Sequence, residues 1–78
     1  MKLSDLRSQC LGILLKEGIE RPYYTIDLIL SKTLGIERAL LIAKDDMEIP
    51  TQKCVGILSM AEKRARRIPL SYIIGEAE

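Results

Sequence analysis

Glycine and proline punctuate this sequence so regularly that they set what it can fold into. Gly18 with Pro22, then Gly35, Pro50 and Pro69, cut the chain into short segments. Proline removes a backbone donor and clashes with a preceding helical turn, and glycine after an apolar run is a common helix stop. Each element must therefore be short and must bury its apolar face against its neighbours. Between the breaks, aliphatic residues recur three and four positions apart, which is the helical period.

The first segment reads as a helix over about residues 4–17. Ser4 is its expected N-cap, Asp5 complements the positive helix start, and Gly18 is its stop. Leu6, Cys10, Ile13 and Leu14 fall on one face, widened by Leu3 and Leu11. The stretch IERPYY reads as a connector because Pro22 biases Arg21 away from helical angles. Thr25 is the expected cap of a second helix that runs to Leu34, with Ile26, Ile29, Leu30 and Leu34 facing inward and Gly35 ending it. A third short helix is expected over about 37–43, carrying Leu40 and Leu41, before KDDMEIP breaks the pattern.

Thr51 opens the fourth and longest helix, expected to reach Arg67, with Cys54, Ile57, Leu58, Ala61 and Ala65 on one face. Gly56 inside it costs about 1 kcal/mol against alanine, which predicts a close helix contact there. Pro69 closes this helix, and residues 70–74 can form one last turn. Leucine and isoleucine dominate, with a single valine (Val55), which favours helices over strands. The expected fold is all-α: a small bundle of four to five short antiparallel helices. The 47% hydrophobic content suffices for folding, although a chain of 78 residues buries only about 60–65% of its unfolded surface and its core is thin.

Much chemistry is excluded. The chain has no histidine, which removes the commonest general base, the commonest neutral metal ligand and every Ser-His or Cys-His pairing. Cys10 and Cys54 stand far apart with no partner ligands beside them, so they read as reduced, buried thiols of a cytoplasmic protein rather than as a zinc site. No glycine-rich phosphate loop is present. Asp45, Asp46 and Glu48 read as a solvated turn, with a cation cluster as the alternative. No apolar run approaches the ~20 residues a membrane helix needs, and the first residues carry charges where a signal peptide would be apolar. Catalytic, cofactor and metal residues are therefore expected to be absent from these 78 residues.

The strongest electrostatic feature is EKRARR, which places Lys63, Arg64, Arg66 and Arg67 at a helix end. Its plain explanation is charge that complements the negative helix terminus, with a contact from Glu62 to Arg66. The sharper one is docking to an acidic or phosphate-bearing partner. A net charge of +1 supplies no field toward nucleic acid, and no aromatic residue interleaves with these cations.

Read with its flanks, the end of the chain is Arg64-x4-Pro69-Leu70-Ser71-Tyr72-Ile73-Ile74-Gly75-Glu76. This resembles the segment that closes the N-terminal domain of the HemK/PrmC-type protein-(glutamine-N5) methyltransferases. IDLILSKTLG and ERALLIAK upstream are similar to that family's next helices, so the resemblance covers nearly the whole chain. Ile68, Lys63, Thr25 with Ile26, and Glu37 depart from the usual pattern. The resemblance implies a helical substrate-docking domain over residues 1–75, with 76–78 beginning a linker to a catalytic domain beyond Glu78. That domain would bind S-adenosylmethionine and carry an Asn-Pro-Pro-Tyr motif; this chain has no asparagine. The implied partners are that catalytic domain and a class-1 peptide chain release factor with a Gly-Gly-Gln loop. Lys63, Arg66 and Arg67 are the expected partner-binding residues. Arg64 is expected to brace the helix against the 69–75 turn, which Pro69 and Gly75 bound and in which Tyr72 is the expected buried anchor. Two other readings stay open: a helix-turn-helix-like nucleic-acid binder using the basic helix, and a free-standing adaptor that binds a partner through its apolar tail.

Overall fold

The computed structural model describes residues 1–75; the expected linker start at 76–78 lies outside the described residues. Five helices follow one another: α1 (Leu3–Lys16), α2 (Pro22–Leu34), α3 (Arg38–Leu41), α4 (Thr51–Ala65) and α5 (Leu70–Gly75). A 3-10 turn over Ile42–Lys44 extends α3. Among the described residues the one β-type pairing is an isolated antiparallel bridge between Lys2 and Glu48. The chain is an all-α bundle.

The helical stripes meet in one core. Leu3, Leu6, Cys10 and Leu14 of α1 pack with Ile26, Ile29 and Leu30 of α2, Leu41 of α3, and Cys54, Ile57 and Ala61 of α4. Ile19 and Ile49 close it from the connecting loops. Burying one such leucine or isoleucine contributes about 1.5–3 kcal/mol, so this stripe supplies most of the drive to fold. Both cysteines are buried and free.

The α1 and α4 helices are the two longest and run in the same direction. At one end the Leu3 amide donates to the Met47 carbonyl and the Ile49 amide to that of Met1; at the other the Arg67 guanidinium donates to the Glu17 carbonyl. They are parallel because α2 and α3 intervene between them in the chain.

The helix ends hold several corrections. Ser4 is not the cap of α1: it lies inside the helix, and Lys2 at the N-cap makes no side-chain capping bond. The first amides are satisfied from a distance instead, Leu3 on the Met47 carbonyl and Ser4 on that of Asp45. Thr25 is likewise no cap but a buried residue of α2, and Pro22 is not in a connector. Proline opens α2 at its first turn, where the missing N–H would have had no helical partner. Gly56 meets nothing within 4 Å of where a Cβ would stand, so the close contact expected there does not exist. The expected stops hold. Gly18 takes φ 65° after α1, and the Ile19 amide returns to the Leu14 carbonyl, with both side chains buried. Gly35 takes φ 68° after α2.

Candidate functional site

The end of the bundle where α1 and α4 finish together is where the basic run lies. The α4 helix stops at Ala65, two residues before the expected Arg67, because Arg67 turns into the left-handed region at φ 67°. The Arg67 amide donates to the Arg64 carbonyl at 2.8 Å, and the Ile68 amide reaches back to that of Lys63 at 3.2 Å. This paired return is the termination that glycine usually provides, and here an arginine makes it. The Arg67 side chain then spans to α1, where Nη2 donates to the Glu17 carbonyl at 2.8 Å. That carbonyl belongs to the residue just past the end of α1, so the cation meets the negative pole of a second helix.

Beside this tie lies an open groove of about 410 Å³, lined by Ile13, Lys16, Glu17, Glu62, Ala65 and Arg66. Its floor is aliphatic, from the half-buried Ile13 and Ala65, and its rim is charged. Arg66, exposed, lines it directly. Lys63 stands one turn back on α4, half-buried and with an interaction of its own. Of the three expected partner-binding residues, Arg66 thus lines the groove, Arg67 ties the two helix ends together, and Lys63 belongs to the last turn of α4.

Arg64 points elsewhere. Its Nη1 donates to the Ile68 carbonyl at 3.1 Å, at the turn that precedes Pro69. The Pro69 carbonyl accepts from the Tyr72 and Ile73 amides and so opens α5, which Gly75 ends. Tyr72 is not the buried anchor it was expected to be. Its side chain is 68% exposed, and Ile73, at 3%, takes the inward place. The α5 helix is about a turn and a half long, and adjacent residues on it point about 100° apart, so one can face the core while the next faces solvent.

The acidic stretch is a solvent-exposed turn, as expected, and its carboxylates also make contacts. Asp45 accepts from Arg7 Nη1 at 2.7 Å, Asp46 lies 3.9 Å from Lys2, and Glu48 accepts from the α-amino group of Met1. Arg7 Nε also approaches Asp27 at 3.9 Å, which joins α1, α2 and the acidic loop. These carboxylates clasp the start of α1. Among the described residues no group of three or more cysteine or acidic side chains could hold a metal ion. The signal for this clasp was present as three cations in the first seven positions, counting the terminus, against three acids in one loop.

The sequence profile described as the PrmC N-terminal domain matches residues 5–75. The chain belongs to the PrmC N-terminal domain family. Three similar relatives carry the name release factor glutamine methyltransferase. That of Deinococcus radiodurans is 31% identical over 78 residues, covering the whole of this chain and 28% of the relative. That of Bifidobacterium longum is 34% identical over 83 residues, or 99% of this chain and 27% of the relative. That of Geobacter sulfurreducens is 30% identical over 67 residues, or 86% and 24%. The chain thus spans about a quarter of the length of the relatives it matches. No solved structure matches it.

The family's methyltransferases imply S-adenosylmethionine, and the residues described here do not fit that cofactor. They offer no strand leading through a glycine loop into a helix, and a Cβ at any of the five glycines would meet open space rather than a cradle wall. Among the described residues no helix is long and apolar enough to cross a membrane.

Proposed function

We propose that this chain is the substrate-holding domain of an S-adenosylmethionine-dependent methyltransferase that modifies the glutamine of a Gly-Gly-Gln motif in class-1 peptide chain release factors. Membership of the PrmC N-terminal domain family supports this reading, as do relatives named for that activity. The observation that carries the docking role is the α1–α4 groove, whose aliphatic floor and charged rim fit a protein surface better than a small metabolite. The methyl donor belongs to a catalytic domain outside these 78 residues. The exposed Tyr72 on α5 is offered to that domain. The reading implies a cytoplasmic protein, as release factors act there.

A docking domain of this kind works through orientation. A neutral amide nitrogen is a weak nucleophile and must be held in line with the methyl group. A second contact surface fixes the substrate before the chemistry and lowers the entropic cost of that alignment. Because the two surfaces belong to one chain, the second contact forms at a high effective concentration.

The test is charge reversal at Lys63 and Arg66 together, in the full-length chain. Arg67 is left alone because its side chain ties α1 to α4. We expect KM for the intact release factor to rise about tenfold with kcat unchanged, the signature of lost uniform binding. Methylation of a short Gly-Gly-Gln peptide, too small to reach the groove, should be unaffected. An unchanged KM for the release factor would remove this groove from the docking surface.

A further inference from the structure

Two arginines are engaged differently from those that tie the bundle together. Arg7 pairs with Asp45 and approaches Asp27, Arg64 donates to the Ile68 carbonyl, and Arg67 donates to that of Glu17. The guanidinium groups of Arg21 and Arg38 instead both lie over the ring of Tyr24, at 4.9 and 4.6 Å from its centroid. Neither makes an ion pair with a carboxylate among the described residues, although Glu20 and Glu37 are their sequence neighbours. Arg21 precedes α2 and Arg38 begins α3, so one tyrosine gathers cations from two elements.

Two like charges brought to one place repel. The electron-rich face of the ring offsets that repulsion and holds the planar groups in position. Among the described residues no protein acceptor takes an N–H of these two guanidiniums, whereas the two-pronged edge of a guanidinium matches a carboxylate. Two exposed apolar side chains belong to the same stretches: Tyr23, next to Tyr24 in the sequence, and Ile42, one helical turn after Arg38. Tyrosine and arginine set among aliphatic side chains are the residue types that dominate protein interfaces.

We propose that Arg21, Tyr24 and Arg38 form a docking surface for an acidic protein segment, whose carboxylates take the two guanidiniums while its apolar side chains cover Tyr23 and Ile42. This surface is built from α2 and α3 and stands independently of the release-factor reading, which uses the groove between α1 and α4. A protein segment is favoured over nucleic acid on two grounds. The Tyr24 π-system is already engaged by cations, which leaves it a poor platform for a base, and a net charge of +1 gives little long-range attraction for a phosphate backbone.

The 78-residue chain is titrated with a capped peptide of alternating glutamate and leucine, with its glutamine counterpart, and with an oligouridylate, while the arginine Nε–H signals are followed by NMR. The Arg21 and Arg38 signals should shift with the glutamate peptide alone, less so as salt rises. Arg21→Gln with Arg38→Gln should weaken that binding about tenfold, the loss of two charge-assisted contacts at an exposed site. Tyr24→Leu keeps an apolar side chain but removes the ring and should also weaken it, whereas Tyr24→Phe keeps the ring and should bind as the parent does. Melting curves confirm that each variant is folded. Should Tyr24→Leu not fold, the glutamine pair and Tyr24→Phe still decide. Equal binding of the glutamine peptide, a preference for the oligouridylate, or no shift at Arg21 and Arg38 would overturn the proposal.

Discussion

At the scale of single residues, Ile73 and Tyr72 make the sharpest contrast, being adjacent on α5 with opposite surroundings. Ile73 is 3% exposed and Tyr72 is 68% exposed. Truncating a buried isoleucine removes its transfer energy and leaves a cavity, so Ile73→Ala should destabilise by about 3 kcal/mol. For a domain of this size that lowers the melting temperature by roughly 12–24 °C. Tyr72→Ala should stay within about 0.5 kcal/mol of the parent, as exposed substitutions do. Thermal denaturation of the two variants separates them, and a larger loss for Tyr72 would reverse the assignment of faces. The same scale explains what could be read of the site. That Lys63, Arg64, Arg66 and Arg67 cluster at a helix end was legible, because charge and helix position are local properties. Their separate tasks were not, since Arg67 is defined by its reach to Glu17, a residue fifty positions earlier in the sequence.

At the scale of elements, glycine acts in opposite senses just past the end of α1 and inside α4. Gly18 sits at φ 65°, where an L side chain is strained although nothing crowds the site. Gly18→Ala should therefore cost about 1 kcal/mol through the backbone alone. Gly56 lies inside α4 with open space where a Cβ would go, so Gly56→Ala should stabilise by about 1 kcal/mol. Urea denaturation should show the two midpoints moving apart with unchanged slopes; a loss of stability in Gly56→Ala would mean that α4 does pack closely there after all. Helices with long aliphatic stripes were readable because burial and period agree, as in Leu6, Cys10 and Leu14 of α1. Their beginnings were not. Sequence reasoning looks for a side-chain cap within the element, yet Leu3 and Ser4 are capped by the carbonyls of Met47 and Asp45, which only the folded chain brings near. Pro22 was misread for a related reason. Proline forbids a helix interior but suits its first turn, and Arg21 supplies the left-handed residue that sets up the turn.

At the scale of the whole molecule, two groups among the described residues hold their protons more tightly in the fold and act together at high pH. The α-amino group of Met1 is held above its ordinary value of 8.0, first by its hydrogen bond to Glu48. Cys10 is pushed up from 9.0 to about 11, first by burial in the core and then by the neighbouring Cys54. Both shifts have the same sign. The folded chain keeps protons that the unfolded chain would already have released, so stability must fall as pH rises. The terminal clasp contributes fully below pH 8.0 and is lost as the pH climbs through its raised value. Cys10 adds nothing below pH 9.0 but costs progressively up to about 11, by roughly 3 kcal/mol over the two units. Denaturation midpoints should hold steady to about pH 8 and then drop in two stages. Acetylating Met1 should lower stability at neutral pH and remove the first stage. Cys10→Ala should remove the second, at the expense of some core packing at every pH. A profile that stays flat from pH 8 to 11 in the parent chain would show that neither the terminal ammonium nor the thiol is held by the bundle as its geometry requires.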